Sequence, residues 1–239
     1  MPSRLRPSKI KSGLRRRWFE RRLGATPLRP IPGLIELGTT YGGWIAPGAL
    51  IDPDWVCYCV GAGGDITFDL DLIERYGCTV RTIEAVASLA DEARQAGGGV
   101  VGHSVIQAAI ATSDGPLRMQ TSHEAVSRSV SSAGLYDSEQ FIELPGRTLP
   151  SLMAELGDER IDLLKLDIEG GEYAVLPEID LPSLGVKVFS IQLHHTGSVS
   201  QAKGLIAELN RAGYVTVACR PVVKLTFVRE DLLDAKPAA

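Results

Sequence analysis

Three short stretches of this 239-residue chain bring together residue types that do chemistry. The densest is Ile161-Asp162-Leu163-Leu164-Lys165-Leu166-Asp167-Ile168-Glu169-Gly170-Gly171-Glu172, an apolar run that ends among carboxylates. Asp167 falls at the end of that run, where open parallel sheets bind their ligands. Glu169 and Glu172 are three residues apart and share a helical face. There they either serve a site or simply favour a helix N-terminus by about 0.3–1 kcal/mol. The second stretch is Val60-Gly61-Ala62-Gly63-Gly64-Asp65. Glycines between a strand and a helix let backbone approach a ligand closely, and the helix start offers free N–H groups. Glu84, 23 positions after Gly61 and followed by Ala85, is placed to accept hydrogen bonds from both hydroxyls of a ribose. The third stretch, His194-His195, closes another apolar run, and imidazole titrates near neutrality. Residues 61–65 with Glu84 and Ala85 therefore read as a wall for a nucleoside-bearing cofactor. Asp167, His195 and His194 read as the groups that move a proton, with one of the two adjacent histidines facing the site.

These side chains need a scaffold, and the pattern around them is a regular alternation of apolar runs and amphipathic segments. Strands are predicted at 55–60, 78–83, 105–112, 161–166 and 186–193. Helices are predicted at 65–76, 87–96, 149–156, 170–176 and 200–212, with Ile66, Leu70 and Ile73 on one face of the first. Such alternation signals a parallel α/β sheet. The runs 214–219 and 222–228 are separated only by Arg220-Pro221, a connection so short that it requires an antiparallel hairpin. A mostly parallel seven-stranded sheet closed by a hairpin is the plan of Rossmann-like class I methyltransferases. Between 115 and 145 the pattern weakens into a serine-rich region with a strand pair at 117–121 and 140–144. Ser113 and Asp114, after the third strand, are placed near an adenine ring.

The chain divides into a basic leader over 1–25, a proline- and glycine-rich lead-in over 26–54, one α/β domain over 55–230 and a tail over 231–239. Residues 1–22 hold nine of the 25 Lys and Arg residues but one of the 29 Asp and Glu, so a basic leader precedes an acidic body. A run of this kind is expected to be solvated and partly flexible, with weak contact to phosphates or an anionic membrane as its alternative use. No specific nucleic-acid partner is expected. No apolar segment follows the arginines as a secretory signal would require, and no run reaches the roughly 18 residues that span a bilayer. Cys57, Cys59, Cys78 and Cys219 form no Cys-x-x-Cys pair and read as buried thiols in a reducing, cytoplasmic setting. No metal is expected either, although Asp167, Glu169 and a histidine are the set that would hold one.

The three stretches, with Phe68-Asp69-Leu70 after the glycine turn and Ile191-Gln192-Leu193 before the histidines, resemble the FkbM-type methyltransferases over residues 55–230. The 162–176 segment carries the resemblance best, matching the family's Asp-Leu-Leu-Lys, Asp and Glu-Gly-small-Glu positions. Two places differ: Ile83-Glu84-Ala85-Val86-Ala87 stands where many relatives have Phe-Asp-Pro-Thr-Pro, and Gln192 stands where many have Glu. The resemblance implies a class I fold, S-adenosylmethionine as methyl donor, and O-methylation of a hydroxyl on a sugar, glycolipid or polyketide-type acceptor. Two alternatives stay open on the residues alone. One is an NAD-linked Rossmann oxidoreductase, which the absence of a third glycine (Ile66 occupies that place) opposes. The other is a non-catalytic binding module that keeps the sheet.

Overall fold

The computed structural model describes residues 7–121, 130, 131 and 140–234. Helix α1 (Pro7–Leu23) leads into a hairpin of β1 (Leu34–Leu37) and β2 (Trp44–Pro47). The domain proper follows as β3 (Val56–Val60), α2 (Thr67–Tyr76), β4 (Thr79–Glu84), α3 (Ala87–Ala96) and β5 (His103–Gln107). Next come four short strands, β6 (Ala109–Ile110), β7 (Gly115–Thr121), β8 (Val130–Ser131) and β9 (Phe141–Arg147). The chain then returns through α4 (Leu149–Leu156), β10 (Leu163–Leu166), α5 (Glu172–Val175), β11 (Val188–Gln192) and α6 (Val199–Arg211). It ends with β12 (Tyr214–Arg220), β13 (Lys224–Arg229) and α7 (Asp231–Asp234).

The main sheet has the order β5-β4-β3-β10-β11-β13-β12, parallel except for β13, which runs against both neighbours. From β3 the chain moves outward to β4 and β5, then crosses back to β10 on the other side of β3. The carboxyl ends of β3 and β10 thus form the switch point at which open α/β sheets make a crevice. Strand alternation divides the core between two faces. Cys57 and Cys59 pack with Phe68 and Leu72 of α2 and with Trp44, whereas Tyr58 and Val60 pack with α4 and α6. The buried face of α2 therefore carries Phe68, Asp69 and Leu72, while Leu70 and Ile73 lie only partly covered at its margin.

The run 105–112 does not form one strand. It divides at Gln107: β5 belongs to the main sheet, and β6 joins a second sheet of order β6-β9-β7-β8. The pair expected at 117–121 and 140–144 is present as β7 and β9, antiparallel. Most of the serine-rich stretch between them lies outside the described residues. The lead-in buries Leu37, Trp44 and Ala46 against the β12 and β13 side of the sheet.

The basic leader also departs from expectation. Residues of α1 were expected to be solvated, but the helix docks on α6 and the turn after β12, burying Phe19 and Leu23. An apolar pair four residues apart is enough to anchor one side of a helix whose other side is arginine. Charge pattern alone hid this, because Phe19 and Leu23 are the sparse half of the pattern. No helix among the described residues is long and apolar enough to cross a membrane.

Candidate functional site

A cavity of about 490 Å³ opens at the switch point, within the range of about 300–1,000 Å³ usual for small-molecule sites. Its floor is the turn after β3. Gly61, Gly63 and Gly64 adopt φ of 84°, 56° and 81°, conformations that favour glycine. Gly61 is doubly constrained, because a Cβ there would collide with the carbonyl oxygen of Asp167 in the neighbouring strand end. Lys165, buried on β10, donates from Nζ to the Gly61 carbonyl at 2.5 Å and ties the two strand ends together.

Glu84 is 94% covered and braces this turn. Its Oε2 accepts from the N–H groups of Ala62 (2.9 Å) and Gly63 (3.2 Å), and Oε1 from Val86 (2.8 Å). The carboxylate also faces the cavity. Oε1, with one bond accepted, keeps a lone pair for a ligand hydroxyl, so loop bracing and a hydrogen bond to a ribose are compatible. Beside it Val86, Leu89, Leu117 and Met119 supply a flat apolar wall. β7 contributes two of these four, which the sequence reading missed because the second sheet is not foreseeable from local pattern. Asp65 accepts from the Thr39 hydroxyl at 2.5 Å and from the Thr67 N–H at 2.9 Å. Burial opposes its charge, but these hydrogen bonds win and hold its carboxyl below the usual range. Asp65 thereby pins the Thr39–Gly43 loop, whose residues 40–43 line the cavity. Lys224 holds the same loop from the other side, donating to the Tyr41 carbonyl at 3.0 Å.

The opposite wall is charged. Asp167, Glu169 and Gln192 line it. Glu169 has φ of 52°, a strained backbone for a non-glycine residue that costs on the order of 1–3 kcal/mol and persists where surrounding structure imposes it. Burial raises the Glu169 carboxyl, the His194 charge opposes this, and Asp167 and Glu172 add to it. Behind them His194 Nδ1 donates to Glu172 Oε1 at 2.5 Å, and His194 Nε2 lies 3.8 Å from Asp167 Oδ1 and 3.6 Å from Glu169 Oε2. Burial works against a charged ring there, but Glu172 and the two other carboxylates override it and lift His194 to about 9. The carboxylates thus favour the charged ring, which acts as a clamp for them, with the Gln192 side-chain amide 3.0 Å from Nε2.

Several expected residues lie elsewhere. His195 points away from the cavity toward α1, where burial, then Arg15, His194 and Arg16, lower its pKa. Both histidines lie past the end of β11, where the chain turns, so strand alternation does not decide their directions; packing against Glu172 on one side and α1 on the other does. Asp114 is exposed and caps α4, accepting from the Thr148 N–H and the Ser151 hydroxyl at 2.7 Å each. Ser113 is exposed next to it. Neither lines the cavity, because the break at Gln107 turns the chain away before reaching them. Gly64 shapes the turn from just outside, while Gly61, Ala62, Gly63, Asp65, Ala85 and Asp167 all line the cavity.

A glycine cradle in which Gly61 has no room for a Cβ, a carboxylate at the ribose position and an apolar slot beside it fit an adenosine-bearing ligand. The family model described as Methyltransferase FkbM domain matches residues 59–216. The chain belongs to the FkbM methyltransferase family. Its methyl donor is S-adenosylmethionine, and residues 61–63, Glu84 and the Val86–Leu89 wall are those that would hold it. Among curated proteins, none matches the chain. Among solved structures it is similar to the fibrillarin pre-rRNA processing protein of Methanococcus jannaschii, with 14% identity, TM-score 0.45 and coverage of 75% of this chain and 68% of that one. A METTL16 methyltransferase domain gives 12%, 0.43, 95% and 68% in the same terms. A methyltransferase from Thiobacillus denitrificans in complex with S-adenosyl-L-homocysteine gives 12%, 0.37, 70% and 60%.

In this methyltransferase Asp167, Glu172 and His194 each offer a metal-ligand atom within 4.8 Å of the others, and Glu172 Oε2 is buried with no hydrogen-bond partner among the described residues. The His194–Glu172 contact already engages one ring nitrogen, so these three form an ion-paired cluster as they stand. Glu169, Lys165 and Lys224 are the charged groups that sequence reasoning underused. The signal available for Glu169 was its place in the Asp-x-Glu-Gly run, and the fold alone put Lys224 opposite it.

Proposed function

We propose that the chain transfers a methyl group from S-adenosylmethionine to a hydroxyl of a sugar, glycolipid or polyketide-type acceptor. The observation that carries this is the pairing of the glycine turn, Glu84 and the apolar residues beside it with the carboxylates Asp167 and Glu169 in the lining of one cavity. The bound donor supplies an electrophilic methyl carbon on a sulfonium. The protein's part is to hold an acceptor oxygen in line with it, exclude water and accept the hydroxyl proton. Glu169 is the better proton acceptor, since burial moves its pKa upward toward neutrality, and general bases work best near the working pH. Asp167, tied by its N–H to the Val60 carbonyl at 3.1 Å, positions the acceptor next to the donor wall. The His194 charge opposes the burial that disfavours ionised Glu169. The Thr39–Gly43 loop, pinned by Asp65 and Lys224, lines the cavity with residues 40–43.

The test is incubation of the pure protein with tritiated S-adenosylmethionine and fractionated host extract, followed by isolation of the labelled product. An alkali-stable methyl ether in a glycan or polyketide-type fraction supports the reading. Label in protein side chains or on nitrogen overturns it.

A further inference from the structure

A second, shallower groove runs between α1 and the turn after β12. Arg17, Arg21, Arg220 and Pro221 line it, and Arg220 and Pro221 also line the large cavity. The groove therefore adjoins that cavity at Arg220 and Pro221. The sheet register says at which end. Arg220 is the register partner of Lys224 on β13, and Lys224 that of Gln192 on β11. Two strand spacings of about 4.8 Å place the backbone of Arg220 roughly 10 Å from that of Gln192. Gln192 stands on the carboxylate wall, so the groove leads away from the acceptor half.

Its charge is unbalanced. Glu20 is the carboxylate in the groove, and it faces Arg16 at 3.6 Å. Arg220 reaches Glu36 only at 3.9 Å. Arg17 and Arg21 are exposed and have no ion-pair partner among the described residues. Because Phe19 and Leu23 are buried in the core, α1 is held in place and the backbone positions from which Arg17 and Arg21 extend are fixed beside the cavity. Planar forks of N–H donors grouped in this way match the geometry of phosphoryl oxygens. In a chain whose body is acidic, such a cluster beside the active cavity is best explained by the ligand.

We propose that the methyl acceptor carries a phosphate ester, bound by Arg17, Arg21 and Arg220 while its hydroxyl enters the cavity. This rests on the methyl-transfer reading of that cavity. The test uses the full chain saturated with S-adenosylhomocysteine and titrated calorimetrically with inorganic pyrophosphate at low salt. Arg17→Gln combined with Arg21→Gln, both exposed, is expected to weaken pyrophosphate at least tenfold and to leave S-adenosylhomocysteine affinity within twofold. Pyrophosphate binding that is absent, or unchanged in the double variant, overturns the proposal. So does binding to phosphatidylglycerol vesicles that persists at saturating pyrophosphate, which would make α1 a membrane-facing element. The tritium-labelled product from extract should lose retention on an anion exchanger after phosphatase treatment, and a neutral product overturns the proposal. Arginine-dependent pyrophosphate binding without S-adenosylhomocysteine uptake would count instead against the methyl-transfer reading.

Discussion

The two walls of the cavity are built on opposite physical principles. On the donor wall the turn is braced on several sides: Glu84 accepts from three backbone N–H groups, Lys165 donates to the Gly61 carbonyl, and Asp65 ties the neighbouring loop. On the acceptor wall three carboxylates crowd a single imidazolium, Glu169 is strained and Glu172 Oε2 has no partner among the described residues. A site that must hold one invariant cofactor gains from a rigid, neutralised backbone cradle. A site that must accept a proton, as proposed for the acceptor wall, needs charge held in readiness, at a cost in stability.

If that contrast is right, the largest effect comes from damage to the cradle itself. Gly61→Ala, which places a Cβ against the Asp167 carbonyl at an unfavourable φ, should abolish measurable S-adenosylmethionine binding by calorimetry. It should also lower unfolding free energy by about 2–3 kcal/mol in a urea titration. Retained binding would mean the two strand ends are not rigidly coupled. Next comes the acceptor wall. Glu169→Gln and Asp167→Asn should each leave donor affinity within about threefold and cut turnover by about 100-fold or more, the usual range for a lost general base. A parallel rise in donor Kd would blur the division between walls.

A third test concerns the clamp. His194 is about 9 in the folded chain against 6.5 for a free histidine. Its contribution to stability is therefore fully present below pH 6.5 and is lost as pH rises through 9. Denaturant midpoints measured from pH 6 to 10 should fall across that window by up to about 3 kcal/mol equivalent, and Glu172→Gln should flatten the profile. An unchanged slope in the variant would show that the clamp is not the titrating unit. Smaller still, Thr39→Val should raise the Km for S-adenosylmethionine a few-fold, since one charge-assisted hydrogen bond to Asp65 is worth roughly 1–2 kcal/mol. The smallest effect belongs to His195→Ala, expected to leave turnover within twofold because the ring faces α1. A large loss there would mean that the helix itself takes part in turnover.

The donor wall was legible in the chain and the acceptor wall only partly so. The glycines and Glu84 are local signals: a turn that demands positive φ and a strand-end carboxylate can be read from spacing alone. Helices 87–96 and 149–156 were legible for the same reason, their apolar periodicity being bounded by glycine at 97 and 157. Ser113 and Asp114 were misplaced because a change of sheet at Gln107 leaves no mark in a continuous apolar run, whose β propensity is the same in either sheet.

What the residues by themselves determined was the parallel sheet, its closing hairpin, the cofactor turn and the carboxylate-rich strand end, since each depends on contacts within a few positions. Only the tertiary structure decided which histidine turns inward and which carboxylate Glu172 leaves for it. The same holds for the helix of arginines, which closes against the β12–β13 turn. Burial and long-range charge set those outcomes, and neither is a property of neighbouring residues in the chain.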